Sequence, residues 1–198
     1  MISQKEIPSS AEVFTAYLSS FRDDGKSDGK SFYTFGYIDK DSAGGSAPYY
    51  TSIDSSQGFW QFASTSASVN GKTMTRSGNT AIADTGTTLA LVSDDLVEKI
   101  YAAIPGAKYD SEQQGYVFPS NTAVDKLPTV SFAVGGKLFS VHKEDLAFQD
   151  LKNGFVYGGI QSGGDLGFDI LGDTFLKGIY AVSSSSIFLL YVACVFFC

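Results

Sequence analysis

A single Asp-Thr-Gly, Asp84-Thr85-Gly86, is the part of this sequence best equipped for chemistry. It lies between Ile82-Ala83 and Thr87-Thr88-Leu89, and the 198 residues hold no second copy. A carboxyl at a loop tip can move a proton, but amide hydrolysis by carboxylates alone takes two of them. Two carboxyls about 3 Å apart cannot both ionise, so they share one proton; one then acts as base toward a water and the other as acid toward the carbonyl. One copy of the motif is therefore half of such a site. Asp84 brings the carboxyl and Thr85 a hydroxyl for fixing it in place, while Gly86 permits a sharp turn and close backbone approach. Taken alone, the tripeptide also reads as an ordinary turn, because all three residue types are common in turns.

The flanking residues must hold that carboxyl still. Ala81 to Val92 reads as strand, tight turn, strand, which places Asp84 at a loop tip on a rigid scaffold. Upstream, Phe59 to Val69 reads as one long strand, and Asn70-Gly71 is a strong hairpin signal. Downstream, a helix is expected with Asp95 as cap, Glu98 three residues on, and Leu96, Val97, Ile100, Tyr101 and Ile104 as its apolar stripe. Pro105-Gly106 ends it. Phe32, Thr34, Gly36 and Ile38 alternate with Tyr33, Phe35 and Tyr37, a run apolar on both faces, as expected of a sheet covered on each side. Lys5 to Lys30 is polar, with turns at Asp23-Asp24-Gly25 and Asp28-Gly29. There is no internal repeat and no linker long enough to split the domain.

Composition fits one mainly β domain with a real core: 16 Phe, 11 Tyr and 21 Gly suit strands joined by tight turns. A net charge of −7 speaks against a nucleic-acid partner. His142 is the only histidine, and no Gly-x-Ser-x-Gly elbow is present, which leaves serine and cysteine hydrolases little to work with. One histidine and two cysteines confined to the last five residues cannot close a zinc site, so neither metal nor cofactor is expected. His142, beside Lys143-Glu144-Asp145, reads as a solvated turn residue. Gly158-Gly159 and Gly163-Gly164 lack the lysine of a phosphate loop and read as hairpin turns. Asp173 reads as structural rather than catalytic.

Well downstream of Asp84 comes Ile170-Leu171-Gly172-Asp173, and with it the sequence resembles the pepsin-like aspartic endopeptidases, specifically the C-terminal lobe of the secreted fungal enzymes. In that family each lobe pairs hydrophobic-hydrophobic-Asp-Thr-Gly-Ser/Thr with a later hydrophobic-hydrophobic-Gly. Ser31 to Asp39, Gln57-Gly58-Phe59-Trp60, Gly158 to Ser162 and Gly172 to Lys177 follow in the family's order. The resemblance implies a mainly β fold: a single C-terminal lobe of the bilobal acid-protease fold with one or two short helices, covering residues 13–182. A polar segment, 1–30, leads into it, and an atypical apolar tail, 183–198, follows.

What the resemblance implies for residues is specific. Asp84 would be the second catalytic aspartate and Thr85 the threonine gripping the opposite lobe. Gly86 and Thr87 would contact the carboxylate and the bound peptide, with Thr88 next along that wall, and Ile170, Leu171 and Gly172 would form the supporting loop. It implies proteolysis at acidic pH, a protein or peptide substrate, and a secreted or vacuolar location. Met1 to Glu6 nonetheless lacks the charged start and apolar run of a secretory signal. The lobe often carries a disulfide; the two places where it is expected read Phe118-Pro119-Ser120 and Gly154-Phe155-Val156-Tyr157, without cysteine.

The partner aspartate has three expected sources, in this order: the front half of a truncated or misannotated product, a separate N-terminal lobe, or a second copy in the manner of retroviral proteases. A different class of answer is a catalytically inactive half-protease that binds extended peptide by strand addition. The resemblance stops at Val182. Ile187 to Cys198, uncharged and largely apolar, is shorter than the roughly 17–25 residues of a membrane helix. A translated intron or alternative exon is the first reading of this tail and a buried strand the second, with Phe188, Phe196 and Phe197 as aggregation hazards if unpaired.

Overall fold

Short β-branched and aromatic runs, broken every few residues by Gly, Asn, Asp or Pro, leave the chain little choice but strands and turns. The computed structural model describes residues 11–20, 31–43, 49–184 and the backbone of 189–194. Met1 to Glu6, the turns at Asp23 to Gly29, and Phe188, Phe196 and Phe197 lie outside them.

The strands fall into three sheets. The largest runs, in hydrogen-bonded order, Ile160–Ser162, Ala90–Val92, Asp169–Leu171, Thr80–Ala83, Gln61–Ala63, Tyr49–Asp54, Leu189–Cys194, Ile179–Ser184, Val13–Tyr17 and Phe32–Phe35. One smaller sheet joins Ala147–Asp150, Phe155–Gly158, Gly115–Pro119 and Lys108–Asp110, and the other Lys137–Ser140, Val130–Val134, Ser66–Val69 and Lys72–Thr75. The mainly β lobe implied by the resemblance is thus observed, with two α-helices among the described residues, Asp94–Ala102 and the four-residue Asp173–Leu176. Leu96, Ile100, Phe118, Phe132, Phe139, Leu171 and Phe175 meet in one core. Burying each such side chain contributes roughly 1.5–3 kcal/mol.

Local signals held where dihedral chemistry decides. Asn70 and Gly71 take positive φ (50° and 76°) and turn Ser66–Val69 back onto Lys72–Thr75. The expected helix forms and buries Leu96, Val97, Ile100 and Tyr101, but it starts two residues early: Ser93, not Asp95, stands at its N-cap. The Ser93 hydroxyl does not cap either. It accepts a hydrogen bond from Arg76 Nη2 at 3.1 Å. Asp95 faces solvent and reaches only Lys99, 3.8 Å away.

Three further expectations need correction. Phe59 to Val69 is not one strand: Gln61–Ala63 belongs to the large sheet and Ser66–Val69 to a small one, and the chain changes sheets at Ser64-Thr65. Ser64 N–H donates to Asn79 O and Thr65 O accepts from Arg76 N–H, so the break is hydrogen-bonded rather than frayed. The Phe32 to Ile38 run is covered on one face only: Thr34 points inward, while Tyr33, Phe35 and Tyr37 are 48 %, 45 % and 61 % exposed. Phe32–Phe35 is the last strand of its sheet, and Gly36 (φ 85°) ends it.

The third correction concerns a pair of glycines. Gly158-Gly159 is no hairpin tip. It joins two strands where a Cβ on Gly158 would collide with the Tyr101 hydroxyl and one on Gly159 with Asp145 O. Gly163-Gly164 does turn, with Gly164 at φ 56°. In the tail, Leu189–Cys194 is a strand between Tyr49–Asp54 and Ile179–Ser184 (Leu189 opposite Ser52 and Ser184). The two segments where a disulfide was expected lie side by side, with Pro119 opposite Phe155 and Phe118 opposite Val156. No helix among the described residues is long and apolar enough to cross a membrane.

Candidate active site

Asp84 follows directly on the strand Thr80–Ala83, which pairs in parallel with Asp169–Leu171: Ile82 lies opposite Ile170 and Ala83 opposite Leu171. The same strand Asp169–Leu171 pairs on its other edge with Ala90–Val92, the strand that leaves the Asp84 turn. Both arms of the turn are therefore stitched to the one segment that carries Ile170, Leu171 and Gly172. Asp84 N–H donates to Leu171 O at 3.2 Å and closes the join.

The turn then folds its donors onto its own carboxylate. Gly86 N–H donates to Asp84 Oδ1 at 2.9 Å, and Thr87 Oγ1 donates to Oδ2 at 2.7 Å. A carboxyl gripped at both oxygens cannot rotate freely, which suits proton transfer at a fixed point in space. A Cβ on Gly86 would stand 3.2 Å from Asp84 Oδ1, tight against the group it must serve.

Gly172 lets the two loops cross. A Cβ there would penetrate the carbonyl oxygens of Thr87 and Leu89, both backbone and both fixed. Past the crossing, Asp173 N–H donates to Thr87 O (2.8 Å) and Thr174 N–H to Thr88 O (3.0 Å), with Thr174 Oγ1 adding a bond to the same oxygen at 3.1 Å. Leu171 is fully buried, so the supporting segment is anchored in the core. The structure thus brings Asp84, Gly86, Thr87, Thr88, Ile170, Leu171 and Gly172 into one crossed-loop unit. Thr85 belongs to the turn but faces outward, and its hydroxyl has no hydrogen bond among the described residues.

Asp173 stands closer to this unit than its reading as a structural residue suggests. Burial pushes its carboxyl above the usual range, the Lys177 ammonium pulls the other way, and the charge of Asp84 adds to the rise. Its Oδ1 is buried without a hydrogen-bond partner. A second feature went unseen in the sequence: Arg76 and Asp169 form a bidentate, nearly buried ion pair, with Arg76 Nη2 2.8 Å from Asp169 Oδ1. Asn79 Nδ2 donates to Asp169 Oδ2 at 3.1 Å. This network locks the foot of the supporting strand to the hairpin and, through Ser93, to the helix. Arg76 and Asp169 stand 93 residues apart, and no local pattern announces such a pair. His142 is half-buried and partnered rather than solvated; it precedes the short 3-10 turn Lys143–Leu146, whose Asp145 is buried.

A carboxyl clamped at a loop tip and crossed beneath by a Gly-containing segment is thus built into a mainly β lobe. Comparison with known proteins gives it a family. The family model for eukaryotic aspartyl proteases matches residues 1–186. Aspergillopepsin-1 of Aspergillus pseudoglaucus is 45% identical over 154 residues, which is 78% of this chain and 38% of that protein. Aspergillopepsin-1 of Aspergillus oryzae gives the same figures. Penicillopepsin-1 of Talaromyces stipitatus is 41% identical over 150 residues, 76% of this chain and 37% of that protein. The chain belongs to the eukaryotic aspartyl protease family, and it spans about two fifths of the length of these relatives.

Proposed function

We propose that this chain supplies one catalytic aspartate of an aspartic-type endopeptidase active at acidic pH. The observation that carries the reading is the double grip on Asp84, by Gly86 N–H and Thr87 Oγ1, on a turn crossed at Gly172. The second aspartate comes from an N-terminal lobe or from another copy of this chain. Residues 13–182 are the lobe itself, with 1–30 leading into it, and within 183–198 the strand Leu189–Cys194 adds to its sheet.

In the assembled site one carboxyl is ionised and its neighbour protonated. The ionised one takes a proton from a water whose oxygen attacks the scissile carbonyl carbon, and the protonated one gives its proton to the carbonyl oxygen. Collapse of the resulting gem-diol breaks the C–N bond as the amine takes a proton. Gly86, Thr87 and Thr88 line the wall along which the extended peptide lies, and Thr85 reaches across to the partner lobe. A secreted or vacuolar setting supplies the acid.

The test is hydrolysis of denatured haemoglobin at about pH 3–5 by the purified chain and by its Asp84→Asn variant. Activity lost in the variant supports self-pairing. Peptide binding that survives the substitution, with hydrolysis never seen even beside a partner lobe, means the inactive peptide-binding alternative. Hydrolysis unchanged in the variant overturns the role given to Asp84.

A further inference from the structure

A cavity of about 590 Å³ opens beside the Asp84 turn, walled by Leu89 and Leu91 on one side and by aromatic rings on the other. Leu89 is two residues beyond Thr87 and leads into the strand Ala90–Val92. The cavity therefore adjoins the wall assigned to the bound peptide.

Beside Gln114, Gln161 and Ser162, its lining brings aromatic rings and carboxylates together. Tyr109, Tyr116 and Tyr157 face it, and so do the carboxylates of Asp94 and Glu98 on the exposed side of the helix. Tyr109 meets Tyr116 edge to face (5.6 Å, 75°), and Tyr116 stacks on the buried Tyr101 (4.7 Å, 10°), so the wall is rigid. Gly115 leaves the space that the Tyr157 hydroxyl fills. Burial, then the negative charges of Glu98 and Asp94, push the Tyr116 hydroxyl above the usual phenol range, which places both carboxylates electrically at that ring. Among the described residues no ion pair answers them: Lys99 reaches Asp95 at 3.8 Å, and Lys108 lies over the Phe155 ring at 4.4 Å.

Aromatic faces with carboxylates at the rim attract a cation by its charge and cover its methylene stem. We propose that this cavity is a specificity pocket that takes a lysine or arginine side chain of the substrate peptide. The proposal rests on the peptide-cleft reading above. Asp94 is already engaged by the Ser162 hydroxyl, so Glu98 carries most of the selection.

The test uses the intact chain at pH 6 and low salt, with two probes. The first is an uncharged octapeptide carrying one lysine at each position in turn, against its norleucine counterpart, followed by fluorescence anisotropy. At one position lysine binds about tenfold tighter, and the gap falls to about twofold or less in Glu98→Gln and at high salt. The second is N-acetyl-arginine amide, which shifts the ring signals of Tyr109 and Tyr116 where N-acetyl-norleucine amide does not. Glu98 is exposed, so Glu98→Gln leaves the melting temperature unchanged and reports on binding alone. Equal binding of lysine and norleucine peptides, or an arginine amide that leaves the tyrosines untouched, overturns the proposal. Binding of the amide through Glu98 with no peptide binding at all refutes the peptide cleft instead and leaves the cation pocket standing.

Discussion

Replacing Gly172 with alanine should disable the crossing that holds Asp84, and the size of the effect follows from what the added methyl meets. Gly172 sits at φ −82°, ψ −160°, a backbone conformation open to alanine, so strain in φ plays no part. The cost is steric: the new Cβ would overlap Thr87 O and Leu89 O and come within 2.8 Å of Thr87 C. These are backbone atoms tied into the sheet, so the loops must separate. Overpacking a close-packed site costs about 1–3 kcal/mol. Separation also weakens the bonds from Asp173 N–H and Thr174 N–H to the opposite loop, each contributing about 1 kcal/mol. The expected loss is about 3–5 kcal/mol, read as a lower urea midpoint with an unchanged slope. Gly78→Ala is the control. It lies in open space at φ 75°, so it should cost only the left-handed penalty of about 1–2 kcal/mol. Equal midpoints for Gly172→Ala and the unaltered chain would refute the steric argument.

Two further substitutions probe the support of the site. Asp169→Asn strands the Arg76 guanidinium in a nearly buried position and should cost about 3–5 kcal/mol in urea unfolding; a loss under about 1 kcal/mol would mean that the network contributes little. Asp173→Asn tests the pH dependence. Its carboxyl is raised above 3.8, so the native state holds that proton more tightly than the unfolded chain. The stability it contributes is complete below about pH 3.8 and is lost as pH rises through the native value. The variant should therefore melt progressively higher than the unaltered chain between pH 3 and pH 6, and a difference constant across that range would contradict the assignment.

The parts of the site legible in the sequence are those whose cause is local. Asp84-Thr85-Gly86 between apolar residues needs only a tight turn between short strands, and Asn70-Gly71 needs only two left-handed dihedrals. The helix stripe followed from its periodicity, but its start did not: the Ser93 hydroxyl that could cap it is drawn off by Arg76, a residue of another element. Long-range contacts decided the rest. The break at Ser64-Thr65 comes from the chain serving two sheets, and the close packing of Gly158 from the arrival of Tyr101 on the helix. The Phe32 to Ile38 pattern reported apolar side chains faithfully, but periodicity cannot say whether a second layer covers them. The proximity of Asp173 to Asp84 arises from the loop crossing at Gly172, which no spacing in the sequence encodes.

The most direct test of the central claim is a reconstitution: acid hydrolysis of denatured haemoglobin by this chain mixed with a separately produced N-terminal lobe carrying its own Asp-Thr-Gly. The account predicts activity in the mixture well above either part alone, and its loss when Asp84→Asn replaces the unaltered chain. Full activity of the mixture with Asp84→Asn would contradict it.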